Sequence, residues 1–215
     1  MKRLVVVALI ATAAAMAAGG ARQIETTLRP NLAAAERLAD WDLDGSGDWT
    51  IRAGMMILAK AGTPSGAIRR PSALAILKSP DFRRASVAAE IRSTADVTVV
   101  NRDLEIILAY QGPARFYYVH LAGITNDVHN GIFLVADADR KRIDPGASPP
   151  QLKDQSWHQA RVAWDGATGH IDVYVDGSAK PVMQAIDRTL TTGRVGLGSF
   201  DDTGEFRNIV VRGSK

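Results

Sequence analysis

Short apolar–polar alternations recur along almost the whole chain, separated by turn dipeptides, and this pattern limits the possible folds more than any other feature. Period-two alternation belongs to strands that bury one face. Ile171–Asp176 sets Ile171, Val173 and Val175 against Asp172, Tyr174 and Asp176, and Trp157–Trp164 places Ala160, Val162 and Trp164 on one side. Asp165-Gly166 and Asp176-Gly177 are turn dipeptides at the strand ends. The two segments are therefore predicted to form an antiparallel hairpin with Val162, Trp164, Val173 and Val175 facing a core. Val87–Arg92 alternates in the same way. Trp49–Arg52, Met55–Ala59, Ala73–Lys78, Leu104–Tyr110, Arg115–Ala122, Gly131–Ala136, Val195–Gly198 and Phe206–Arg212 read as further strands. About ten short strands at near-regular spacing predict an all-β protein, a two-sheet antiparallel β-sandwich of jelly-roll type. Asn31–Leu38, following Pro30, reads as one short helix with Asn31 as its N-cap.

Composition removes whole classes of function. Hydrophobic residues are 46% and charged residues 23% of the chain, which excludes a mainly disordered chain and a polytopic membrane protein. The net charge is only +3 and the basic residues are spread along the chain, so no nucleic-acid partner is expected. Cysteine is absent, which excludes disulfides, thiolate nucleophiles and cysteine metal sites. Lys2-Arg3, the apolar run Leu4–Ala18 and the small residues around Gly19-Gly20-Ala21 read as a secretory signal peptide over residues 1–21. A retained membrane anchor is the other reading of this run. With cleavage, the protein is secreted or periplasmic and has no membrane partner. Residues 22–40 then form an N-terminal extension and residues 41–215 the sandwich domain.

Trp157-His158 opening a strand, Gly169–Gly177, Gly193–Gly198 and Phe206–Val211 form an ordered series. This series resembles the C-terminal half of concanavalin A-like lectin/glucanase domains, including laminin G-like modules. It is similar above all to the bacterial 3-keto-disaccharide hydrolase-like domain family. Arg115–Ala122 and Asn130–Val135 are similar to the middle of secreted bacterial members, and the resemblance covers roughly residues 41–213. It implies a concanavalin A-like jelly roll. It fixes no single activity, because that superfamily mixes lectins, hydrolases, lyases and structural modules. The paired-carboxylate strand motif of the glucanase members has no counterpart here.

Candidate chemistry follows from strand parity. In Arg115–Ala122, Tyr117, Val119 and Leu121 read as core, which leaves Phe116, Tyr118 and His120 as a partly polar aromatic stripe on the opposite face. Glu90 and Arg92 occupy the polar face of one candidate strand, and Asp103 and Glu105 that of another. Adjacent strands would bring Glu90, Arg92, Glu105, Tyr118 and His120 into one groove. There His120 and Tyr118 would transfer protons, Glu90 or Glu105 would serve as carboxylate partner, and Arg92 would orient an anion. The plainer reading is a cross-strand Glu–Arg pair and a structural histidine. Phe116, His129, Asn130, Arg69 and Arg70 are candidate substrate contacts; a hairpin would bring His129 close to His120, and the arginines suit an acidic glycan.

As metal ligands His120 and His129 would need a third partner, Asp127 or Glu105, and a polar hairpin loop is the plainer reading; the spacing matches no zinc motif, so no metal ligands and no cofactor are assigned. Asp42–Asp48 resembles the first half of a calcium loop, but Ala53 stands where the bidentate Glu belongs. A turn is the preferred reading there, as it is at Asp201-Asp202, with calcium as the alternative. The leading functional expectation is a hydrolase or lyase acting on a glycan or modified disaccharide. The alternative is a non-catalytic carbohydrate-binding or adhesion module, with carbohydrate the expected partner in either case.

Overall fold

The computed structural model describes residues 25–215, and the apolar segment read as an export signal lies outside the described residues. The segment expected to be an extension contributes a strand, β1 (Thr26–Leu28). In place of an α-helix over Asn31–Leu38 the chain forms a 3-10 helix at Ala35–Asp40 that buries none of its residues. Asn31 accepts the Ala33 N–H at 2.9 Å, making a local turn and not a helix cap. Leu32 is buried and Leu38 only partly so, too little apolar burial to offset the nucleation cost of a longer helix.

Beyond it lie β2 (Trp41–Gly45), β3 (Asp48–Arg52), β4 (Met55–Lys60), β5 (Ala73–Leu77) and β6 (Arg84–Ser93). Next come β7 (Asp103–Gly112), β8 (Arg115–Ala122), β9 (Gly131–Ala136) and β10 (Lys141–Arg142). The chain ends with β11 (His158–Asp165), β12 (His170–Val175), β13 (Met183–Ile186), β14 (Arg194–Ser199) and β15 (Gly204–Ser214). Strands β1, β10 and β13 are too short for alternation to reveal them, and the Asp-rich sequence of β2 reads as a turn.

The first sheet runs β13-β12-β11-β6-β15-β4-β3, with β1 paired to β15, and the second runs β10-β9-β8-β7-β14-β5-β2. The predicted hairpin forms in register, with Val162 opposite Val173 and Trp164 opposite Ile171. Val87, Ile91, Val162, Trp164 and Val173 from the first sheet pack against Ile106, Leu108, Tyr117, Val119 and Leu121 from the second. Tyr117 fastens the layers together. Its hydroxyl donates to Asp187 Oδ1 at 2.6 Å and accepts the Leu190 N–H at 2.9 Å.

The second sheet is buried on both faces. Leu74, Ile76, Ile107, Tyr110, Phe116, Tyr118, Phe133 and Val135 form a separate apolar layer on its outer side, with Ile68 packed against them. The covering segments are tied together, since Arg69 N–H donates to Asp139 Oδ1 at 2.8 Å and Arg140 N–H to the Arg69 carbonyl at 3.0 Å. Near-continuous burial along β5 and β7 is the result.

Candidate functional site

One cross-strand row of the second sheet carries the polar chemistry. Gly131, His120, Glu105 and Gly198 stand side by side on β9, β8, β7 and β14. The two glycines keep the flanks clear. A Cβ added at Gly198 would lie 3.1 Å from Glu105 Oε2, and one at Gly131 would lie 2.4 Å from the Arg142 guanidinium. Asp103 is two residues before Glu105 and shares its face, as Tyr118 does with His120.

Asp103 is held at the start of β7 by the turn after β14. Its backbone N–H donates to Asp202 at 3.0 Å. Its Oδ1 accepts the Ser199 hydroxyl at 3.0 Å and the Phe200 N–H at 2.8 Å. Its Oδ2 is 3.3 Å from His120 Nε2, yet the two atoms are not aligned as a hydrogen bond. Among the described residues, Asp103 Oδ2, both Glu105 oxygens and both His120 nitrogens are buried without a hydrogen-bond partner. His120 lies among rings, 5.5 Å from His129, 5.9 Å from Phe133 and 6.2 Å from Phe200. Arg140 donates to the Tyr118 hydroxyl at 3.3 Å and sits 4.1 Å above Phe200, over which Arg69 also lies. Half-exposed His129 and Arg140, with exposed Arg69 and Asp201, ring this buried group.

The electrostatics follow from burial and crowding. Burial, reinforced by the Asp103 charge, drives the Glu105 carboxyl well above the usual range. Burial also pushes Asp103 upward, but His120, the Phe200 N–H and the Ser199 hydroxyl outweigh it and hold Asp103 below its ordinary value. Burial and then the Asp103 and Asp201 charges raise Asp202 to about 7. Burial, followed by the neighbouring His120, lowers His129. Burial first and then Glu105 lift Tyr118 far above the usual phenol range.

Glu105, Tyr118, His120 and His129 therefore come together, whereas Glu90 and Arg92 do not join them. Strand β6 pairs with β11 and β15, and β7 pairs with β8 and β14. The loop between β6 and β7 passes from one sheet to the other, so their polar faces point to opposite sides of the sandwich. Glu90 accepts from Arg207 at 2.7 Å and Asn208 at 2.6 Å. Arg92 pairs with Glu205 and lies 4.7 Å over Trp157.

The stripe Phe116–Tyr118–His120 has the predicted parity but is not an open surface; each of its members is at most 1% exposed. Asn130 is buried, and its amide serves the fold by bonding Thr125, Ser148 and the Pro149 carbonyl. Arg70 pairs with Asp44 at 2.9 Å, leaving Arg69 alone at the rim. The resemblance of Asp42–Asp48 to a calcium loop ends in ion pairs, because Asp42 meets Arg194 and Asp44 meets Arg70 and the Tyr110 hydroxyl. Phe133, Arg140 and Phe200 were missed as site residues. The alternation of Asp103 with Glu105 was visible, but nothing local tied it to the Ser199–Asp202 turn.

No protein-family model matches the sequence, and no curated protein does. Solved structures define the class of fold. Carbohydrate binding module CBM66 from Bacillus subtilis superposes with a TM-score of 0.60 at 13% identity, over 79% of this chain and 93% of that one. A Bacillus subtilis protein with a galectin-like fold gives 0.61 at 11% identity, over 90% of this chain and all of the other, 100%. A lectin from Bauhinia forficata, solved in complex with GalNAc, gives 0.52 at 13% identity, over 90% and 99%. The chain thus has the fold of a two-sheet antiparallel jelly roll of the concanavalin A-like type.

Proposed function

We propose that this is an exported carbohydrate-binding protein, and that sugar docks on the rim above the second sheet. The observation that carries the reading is the composition of that rim. His129, Arg140, Arg69 and Asp201 offer hydrogen-bonding groups around Phe200 and Phe133, which suits a polar ligand with apolar ring faces. A carbohydrate binding module, CBM66, and a lectin from Bauhinia forficata solved with GalNAc share the fold, which supports the reading. Export rests on the Lys2-Arg3 and Leu4–Ala18 pattern.

A second reading, a hydrolase or lyase of the 3-keto-disaccharide type, is favoured by the unpartnered cross-strand pair Glu105 and His120. Both groups are sealed from solvent, however, at 0% and 1% exposure, which is why binding is preferred. A glycan array, run beside a depolymerisation screen read by mass and by absorbance of unsaturated products, separates the two. Binding that falls about tenfold or more in His129→Ala and Arg140→Ala, with unchanged melting temperature, supports the rim. Binding that ignores both changes refutes it. Product formation that disappears in His120→Gln establishes the second reading instead.

A further inference from the structure

We propose that Asp103, Glu105 and His120 form a binding site for one divalent transition-metal ion of the zinc type. The proposal concerns the floor beneath the rim and does not depend on the sugar reading. One ligand atom from each residue lies within 4.8 Å of the others, and all three side chains are buried.

Two details of the cluster, beyond the Asp103–His120 contact itself, point to an ion. Asp103 Oδ2 and His120 Nε2 are 3.3 Å apart but make no hydrogen bond. Two ligands on a tetrahedral ion with bonds of about 2.0–2.1 Å are separated by about 3.3 Å. Glu105 has no partner for either oxygen, and an unsatisfied buried carboxylate is costly. A dication within reach of all three groups compensates both carboxylates and one ring nitrogen at once.

The surroundings are arranged in the same sense. The bonds from Ser199 and the Phe200 N–H to Asp103 Oδ1 turn Oδ2 toward His120, as outer-shell partners orient metal ligands. A Cβ at Gly198 would lie 3.1 Å from Glu105 Oε2, so the glycine lets the Glu105 carboxyl keep its place. The donor set decides the class of ion. Calcium and magnesium take oxygen ligands, whereas a set of two carboxylates and an imidazole suits zinc and its neighbours. Bound there, the ion would make Glu105 and His120 ligands and not a free acid and base.

The test uses the whole purified chain, stripped with EDTA and titrated calorimetrically with Zn2+, with Ca2+ and Mg2+ as controls and no sugar present. The expected result is one zinc retained per chain after desalting, with neither control ion competing. Glu105→Gln and Asp103→Asn should each weaken zinc by more than about 100-fold, and Ser199→Ala by about 10-fold, because Ser199 only orients a ligand. No retained zinc, zinc bound no better than calcium, or unchanged affinity in Glu105→Gln overturns the proposal. If a variant fails to fold, the electron paramagnetic resonance of Cu2+-loaded wild-type protein should show coupling to one imidazole nitrogen, and its absence is equally fatal. A failed glycan array leaves this site standing, and a failed titration leaves the rim standing.

Discussion

The two outer faces of the sandwich are built from the same kind of alternating strand and end in opposite conditions. On the first sheet the outward groups are open to solvent and satisfy one another. Arg207 and Asn208 hold Glu90, Gln184 donates to Asp172, and Arg161 lies 3.8 Å over Tyr174. A shallow groove of about 440 Å³ runs beside Glu90, Gln159 and Arg161, but its charges are spoken for. On the second sheet the outward groups are covered and mostly apolar, and in one corner they are ionisable and unpartnered. A polar strand face is thus no guide to function until one knows what covers it. The informative corner is the one where burial and missing partners coincide.

The most severe way to break this comparison is to truncate an outward side chain on each sheet. Phe116→Ala should cost about 3–5 kcal/mol, as much as a residue between the sheets, because its ring is wholly buried. Arg161→Ala, outward on the first sheet, should stay within about 0.5 kcal/mol. Urea unfolding of both variants checks the contrast, and equal losses would erase it.

A smaller effect is expected at the fastening between the sheets. Asp187 is pushed up by burial, but the Tyr117 hydroxyl and the Thr189 N–H prevail and hold its carboxyl below the ordinary range. A carboxyl lowered in the folded state adds stability above its unfolded pKa, and that stability is lost as pH falls through the folded value. Asp187→Asn should therefore cost about 1–2 kcal/mol near neutrality, and the difference from wild type should shrink below about pH 4. Melting curves across pH measure this, and a pH-independent difference would mean that the clasp does not titrate.

The smallest effect belongs to the paired face. Glu90→Gln should lose under about 1 kcal/mol, and the loss should fade with added salt, because Glu90 is partly solvated. A larger, salt-insensitive loss would show that this face is more than a surface ladder.

Strand parity was legible in the sequence wherever a strand was long enough. The division of β8 into Tyr117, Val119 and Leu121 against Phe116, Tyr118 and His120 holds, as does the β11–β12 hairpin. Alternation says which residues share a face, but not which sheet a strand joins. For that reason Glu90 and Glu105 appeared as neighbours although a whole sandwich lies between them. The cover over Phe116 left only an indirect trace, the unbroken apolar run Ala73–Leu77, which is what a strand buried on both faces looks like. The Asp103 contacts with Ser199 and Phe200 span 96 and 97 residues. No local pattern encodes a contact of that separation.

The pairing of β1 with β15 has a practical consequence. Thr26 lies opposite Gly213 and Leu28 opposite Val211, so the first and last described strands belong to the same sheet, the one that does not carry the buried cluster. A tether placed after β15 holds the molecule by the first sheet, away from the second. Immobilised through such a tether, the protein turns the rim of His129, Arg140 and Arg69 toward the solution, the orientation that a sensor-chip or bead assay with soluble oligosaccharides requires.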